Sequence, residues 1–240
     1  MKELKIYHQC LDINNFGDIV GTWIIEKRYG VKCVWENSKD EPVLFTGGTQ
    51  LVNSHLNAII CGCGFNNAEE TCEPPYSIEF IRGKLTRKRL LEIGIECPET
   101  YHDYTYDLPE YFDADKLKTG QYNIGFIPHY IDKPYFNAVQ QNGFHLIDVC
   151  AGVESVVAEA LKCQHIISSS LHGLILAHCF NIPFTWVSTI NPIVSPEFKF
   201  HDWASAFDIT LERKSMIDIF DFRLKDLQNF EVEKIDIKNL

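Results

Sequence analysis

Short apolar runs alternate with amphipathic segments along the chain, the arrangement a parallel sheet needs when crossover helices join its strands. Leu4 to His8 reads as the opening strand. The polar turn Asn14 to Asp18 follows, and a helix runs from about Ile19 to Tyr29, closed at Gly30. Further strands are expected at Pro42 to Thr46, Asn57 to Cys61 and Ser77 to Ile81. They end in Gly47-Gly48, Gly62-Cys63-Gly64 and Arg82-Gly83, and a helix through Thr86 to Leu91 comes next. Glycine directly after a parallel strand lets backbone approach a ligand at the carboxyl edge of the sheet, where open α/β folds bind.

From about Pro98 to Thr119 the chain is rich in Asp, Tyr and Pro with poor periodicity, which reads as a linker and places a domain boundary there. The alternation then restarts. Tyr122 to Ile127 is a strand, Pro128-His129-Tyr130 a turn, and Phe144 to Val149 the next strand. Val153, Val156, Val157, Ala160 and Leu161 form one apolar stripe at helical spacing and lead to the strand His165 to Ser169. Leu171 to Phe180 reads as a buried helix, stopped at Asn181-Ile182-Pro183, and Phe184 to Ser188 as another strand. The expected organisation is α/β with two domains, residues 1–115 and 120–210, followed by a helical tail over 211–240.

Composition narrows the function. A formal net charge of −11 provides no basic surface for a run of phosphates, so nucleic acid is not an expected partner. No run approaches the roughly 18 apolar residues of a spanning helix, so no membrane span is expected. The start, Met1 to His8, lacks the long apolar segment of a secretory signal, and a cytoplasmic location is the expectation. Nine irregularly spaced cysteines then read as reduced thiols in the core rather than a disulfide framework. Cys61, Cys63 and Cys72 lack the spacing of a zinc site, so no metal is expected.

The strongest chemical signal is Ser168-Ser169-Ser170-Leu171-His172-Gly173, set between an apolar strand and an apolar helix. Backbone N–H groups at a helix N-terminus attract anions, and a histidine in the first turn can give or take a proton near neutral pH. Helix capping by one serine is the simpler reading of the triplet alone. The chain lacks a Walker-type phosphate loop, a dinucleotide fingerprint and a nucleophile elbow. Other candidates are Arg82, whose planar fork suits carboxylate or phosphate, His129 after Pro128, and the segment Lys199 to Asp202. Asp18 suits either a cap or a base.

Taken in order, Asn15-Phe16-Gly17-Asp18, Arg82 to Arg87, Ile127-Pro128-His129-Tyr130-Ile131-Asp132, Ser168 to Ile175, and Lys199 to Trp203 resemble motifs of the polysaccharide pyruvyl transferase family, in particular its exopolysaccharide ketal-forming branch. The resemblance implies two Rossmann-like domains of the GT-B glycosyltransferase type, the first on the acceptor side and the second on the donor side. It implies phosphoenolpyruvate as donor substrate with no further cofactor, and a saccharide or lipid-linked saccharide as acceptor. On that basis Arg82, Ser168, Ser169, Ser170, Leu171, Gly173 and Lys199 would bind the donor. His172 would be the acid, with His129 or Asp18 relaying a hydroxyl proton. Two departures stand out: His102 to Asp107 replaces a Gly-Asp-Pro-Ala-Leu segment, and Ser170 stands where some branches carry arginine. A nucleotide-sugar glycosyltransferase and a non-catalytic descendant are the alternatives.

Overall fold

A computed structural model of the chain describes residues 2–8, 13–135, 143–188 and 196–215. These residues fall into two compact units. Those up to Tyr111 belong with 196–211, and those from Phe112 to 188 belong with 212–215.

In the first unit, β1 (Glu3–Tyr7), β2 (Lys32–Trp35), β3 (Val43–Phe45), β4 (Ala58–Cys61) and β5 (Ser77–Phe80) form one sheet in the order β2-β1-β3-β4-β5. Every pair is parallel. Helix α1 (Phe16–Tyr29) links β1 to β2 and buries Phe16, Val20 and Ile24, a four-residue spacing that keeps one face on the core. It starts before the expected Ile19 because Phe16 already belongs to that apolar face. It ends at Gly30, whose φ of 61° is the left-handed cap and whose N–H donates to the Glu26 carbonyl. Helix α2 (Lys84–Glu92) follows β5. Val43, Phe45, Ile60, Cys63, Phe65, Ile81 and Leu90 form the core.

β2 went unread in the sequence because it is a four-residue edge strand with exposed Lys32 and Trp35 at its ends. The stretch expected as a linker from Pro98 is ordered structure up to Tyr111. A 3-10 helix spans Tyr104–Glu110, with Thr105 and Leu108 buried and the Asp103 carboxylate accepting from the Thr105 N–H. Arg28 reaches Asp107 at 3.1 Å and Glu110 at 2.9 Å. The polar composition that suggested a loop is used in caps and ion pairs, which carry no periodicity.

In the second unit, β6 (Tyr122–Ile127), β7 (His145–Leu146), β8 (Cys163–Ser168), β9 (Phe184–Val187) and β10 (Arg213–Lys214) form a parallel sheet in the order β10-β9-β8-β6-β7. The helices are α3 (Ala114–Leu117), α4 (Val153–Leu161) and α5 (Leu171–Cys179). The predicted stripe of α4 is the face that is buried. α5 is buried through seven consecutive residues, Leu171 to Ala177, as its all-round apolar sequence demands. β10 lies in the stretch expected to be a helical tail, and the rest of that tail, 216–240, is outside the described residues.

One further helix, α6 (Phe198–Ala206), was expected with the second domain but belongs to the first unit. The physical reason is Asp202, fully buried against Arg82 and Thr86 more than a hundred residues earlier.

Numbered within each unit, both sheets run 2-1-3-4-5, the doubly wound order of Rossmann-like folds. In this order the chain leaves the first strand toward one side and returns for the third on the other. The loops above those two strands therefore part, and a crevice opens at their carboxyl ends. The switch points lie at β1/β3 and β6/β8.

Candidate functional site

The β6/β8 switch point holds the turn singled out in the sequence. The register pairs Ile127 with Ser168, so the loops leaving the two strands, Pro128-His129 and Ser169-Ser170, stand side by side. Two of the three serines tie these loops together. The Ser168 hydroxyl lies 2.7 Å from the Ile127 carbonyl and accepts from the Ser170 N–H at 3.0 Å. The Ser169 hydroxyl donates to Asp132 Oδ2 at 2.8 Å and accepts from the His129 N–H at 2.9 Å. The hydroxyls of Ser168 and Ser169, both expected at the donor, are thus engaged in holding the turn.

Ser170 is the N-cap of α5, in extended conformation, with no side-chain hydrogen bond to its own helix. The first turn of α5 carries no acidic residue, and Leu171 and His172 are both buried. A buried, positive helix end with no built-in anion favours a negatively charged ligand. Gly173 is required by packing: a Cβ there would stand 2.3 Å from Ser168 Oγ and 2.9 Å from Ile127 Cγ2. This close fit seats the first turn of α5 against Ser168 and Ile127. His129 is half-buried, and its Nδ1 accepts from the Ile131 N–H at 3.4 Å, a contact that in the neutral ring leaves the proton on Nε2.

The other predicted residues belong to the first unit. Arg82 is 1% exposed. Its Nε donates to Asp202 Oδ2 at 2.9 Å, its Nη1 to the Gly48 carbonyl at 3.3 Å and its Nη2 to the Phe65 carbonyl. Asp202 in turn accepts from the Thr86 N–H and hydroxyl, both at 2.7 Å, which caps α2 from a distant helix. Each of the three nitrogens of the expected donor-binding fork thus has a partner inside the unit.

Lys199, also expected at the donor, lies on α6 in the first unit, 8% exposed, with its Nζ 5.5 Å from the centre of the Phe200 ring. Its pKa is lowered to about 8, chiefly by burial and in part by Arg82, with Asp18 opposing both. Asp18 sits in the first turn of α1, accepts from Asn15 Nδ2 at 2.9 Å, and is half-buried at the β1/β3 switch point.

Asp132, His8 and Gln50 carry no individual role in the sequence reading, and Asp202 enters it only within the candidate segment Lys199 to Asp202. Asp132 and Asp202 end the runs Ile127 to Asp132 and Lys199 to Asp202, and their signal is that place. Gln50 and His8 had none. Among the described residues, no group of three or more His, Cys, Asp or Glu side chains gathers as a metal site, and no two cysteines are joined in a disulfide. Burial pushes the Cys63 thiol up to about 12. No described helix is long and apolar enough to cross a membrane.

Two parallel sheets of doubly wound order, each with polar groups at its switch point, define a Rossmann-like α/β protein, a fold class whose ligands bind above the carboxyl ends of the strands. The chain belongs to the polysaccharide pyruvyl transferase family, whose model matches residues 18–191. It is 27% identical over 248 residues to an uncharacterized protein of Acanthamoeba polyphaga mimivirus, covering 98% of this chain and 86% of that one. It is also 28% identical over 221 residues to the succinoglycan biosynthesis protein ExoV of Rhizobium meliloti (strain 1021), covering 86% of this chain and 66% of that protein.

Proposed function

We propose that the protein transfers pyruvate from phosphoenolpyruvate to a sugar diol, forming a cyclic ketal in polysaccharide biosynthesis. The observation that supports this reading is the β6/β8 switch point, where the buried first turn of α5, with His172 in it, directly follows β8. Membership of the family and similarity to a succinoglycan biosynthesis protein support the same chemistry. The GT-B-type architecture and a cytoplasmic location belong to this proposal. Two Rossmann-like units of identical strand order are what that architecture requires.

Phosphoenolpyruvate carries negative charge on both phosphate and carboxylate, so the helix N-terminus and the Ser170 hydroxyl are its natural partners. His172 gives a proton to the methylene carbon, which becomes the methyl group, and the C2 cation is captured by an acceptor hydroxyl. The second hydroxyl then displaces phosphate at C2 and closes the ring. Of the two protons the diol surrenders, one replaces that spent by His172 and the other leaves with phosphate. His129 is suited to relay one of them, since its ring is oriented by the Ile131 N–H.

Turnover in heavy water tests the scheme, because protonation at carbon puts deuterium in the product methyl group. His172→Asn keeps a polar side chain without an acid, so turnover is expected to fall by on the order of 10² to 10⁴. A product methyl without deuterium, or a folded Asn variant with parental turnover, removes His172 from this role.

A further inference from the structure

The outer face of α2 carries cations that pyruvyl transfer leaves unused. Thr86 and Leu90 are the buried residues of this helix, so Lys84, Arg87, Lys88 and Leu91, at i, i+3, i+4 and i+7, share another face. Tyr101 joins them, held by the backbone bridge that pairs it with Ile81 just past β5. Together these side chains line an open cavity of about 570 Å³ that lies within the first unit. Three cations on one helix face run against the balance of a chain whose net charge is −11.

Arg87 is the group least accounted for by the fold. Among the described residues its guanidinium forms no hydrogen bond: Nη2 stays 4.0 Å from Glu99, and Nε is closed off from water without a partner. Buried donors are nearly always satisfied, so an arginine partly desolvated and still unbonded takes up an anion with little to give up. The carboxylates near the other cations hold them loosely. Glu92 is 3.9 Å from Lys88, and Asp208, 2.8 Å from Lys84, is itself 87% exposed. Ion pairs this open contribute little and yield to a better acceptor. The Tyr101 hydroxyl lies within electrostatic reach of Glu99, Arg87 and Lys84, and burial raises its pKa, so it remains a donor at neutral pH.

A carboxylate offers two oxygens and a single charge, fewer than this face can engage. A phosphate monoester offers three oxygens and about two charges, which match a guanidinium fork, a hydroxyl and two neighbouring ammonium groups. Leu91, 46% exposed on the last turn of the same face, gives the body of an ester an apolar surface.

We propose that this groove binds the phosphate of a phosphate ester, with Arg87 and Tyr101 as its direct partners and Lys84 and Lys88 flanking them. The site stands apart from pyruvyl transfer and does not depend on it.

The arginine Nε–H region of the ¹H–¹⁵N spectrum of the intact protein tests this, with glycerol 3-phosphate as the soluble probe. The Arg87 resonance is identified by its loss in Arg87→Lys, which separates the groove from any donor site. Glycerol 3-phosphate should shift that resonance in the parent, while sodium chloride of equal ionic strength leaves it in place. The midpoint of the shift should rise about tenfold in Tyr101→Phe and about threefold in Lys88→Gln, as one direct hydrogen bond and one flanking charge are lost. Phosphatidylcholine vesicles with and without phosphatidic acid present the same phosphate on a surface. Sedimentation with the acidic vesicles alone, lost in Arg87→Lys, makes a lipid headgroup the source, and a shift with glycerol 3-phosphate without sedimentation makes it a soluble ester. No response to either source overturns the site, as does a resonance that moves equally in sodium chloride or parental midpoints in both variants.

Discussion

Arg82 shows how one residue type supports two readings that only its surroundings separate. An arginine at a strand's carboxyl edge suits an anionic ligand, but here every arm of the fork is held by Asp202, Gly48 or Phe65. Lysine cannot reproduce three directed bonds, and a buried Asp202 that loses its partner is left uncompensated. Arg82→Lys and Asp202→Asn should each lower stability by about 3 to 5 kcal/mol. Chemical denaturation measures this, and phosphoenolpyruvate affinity per folded molecule should remain parental. A stable Lys variant with weakened donor binding would return Arg82 to the ligand.

Lys199 makes a pH-dependent prediction. Its pKa falls from the ordinary 10.5 to about 8 in the folded protein, chiefly because burial penalises the charged form. Between those two values the unfolded chain binds more protons than the folded one, so this residue makes stability rise with pH across that window. The cost of the buried charge is present in full below pH 8. Lys199→Met should flatten the rise and add on the order of 3 kcal/mol at neutral pH. Equal pH slopes for parent and variant would mean that the ammonium is solvated.

At the scale of elements, the parts legible in the sequence are those whose burial follows one period. The stripe of α4 and the continuous apolar run of α5 were both readable, and so was the turn between β8 and α5. β2 and β10 were missed because four-residue and two-residue edge strands take their identity from the neighbour they pair with. The β8–α5 turn yields a sharp test in Gly173, where any side chain meets Ser168 Oγ and Ile127. Gly173→Ala should cost about 1 to 3 kcal/mol, although alanine is the better helix former on propensity alone. It should also lift His172 from the crest, so turnover should fall further than the melting temperature accounts for. A Gly173→Ala protein more stable than the parent would show that α5 has room to spare.

For the whole molecule, the donor is the discriminating question. A ligand selective for the folded state raises the melting temperature in proportion to RT ln(1 + [L]/Kd), about 2.7 kcal/mol at a hundredfold excess over Kd. Phosphoenolpyruvate should raise it and UDP or UDP-sugars should not, as the pyruvyl-transfer reading requires. A shift with UDP alone favours nucleotide-sugar transfer, and no shift with any of them favours a non-catalytic member of the family.

The sequence by itself determined the α/β class, the two rounds of strand-helix alternation, and the turn from Ser168 to Gly173, since each is a local pattern of apolar spacing and hydrogen-bonding side chains. It also carried the family, through short motifs kept in order. Tertiary structure alone decided the strand orders, and with them the two crevices, because pairing between distant strands leaves no trace in local periodicity. It decided that Arg82 and Asp202, 120 residues apart, neutralise each other in the core, that α6 belongs to the first unit, and that Gln50 and Asp18 converge over Gly48. A side chain's type fixes which bonds it can make, but which bonds remain for a ligand depends on what the fold has already used.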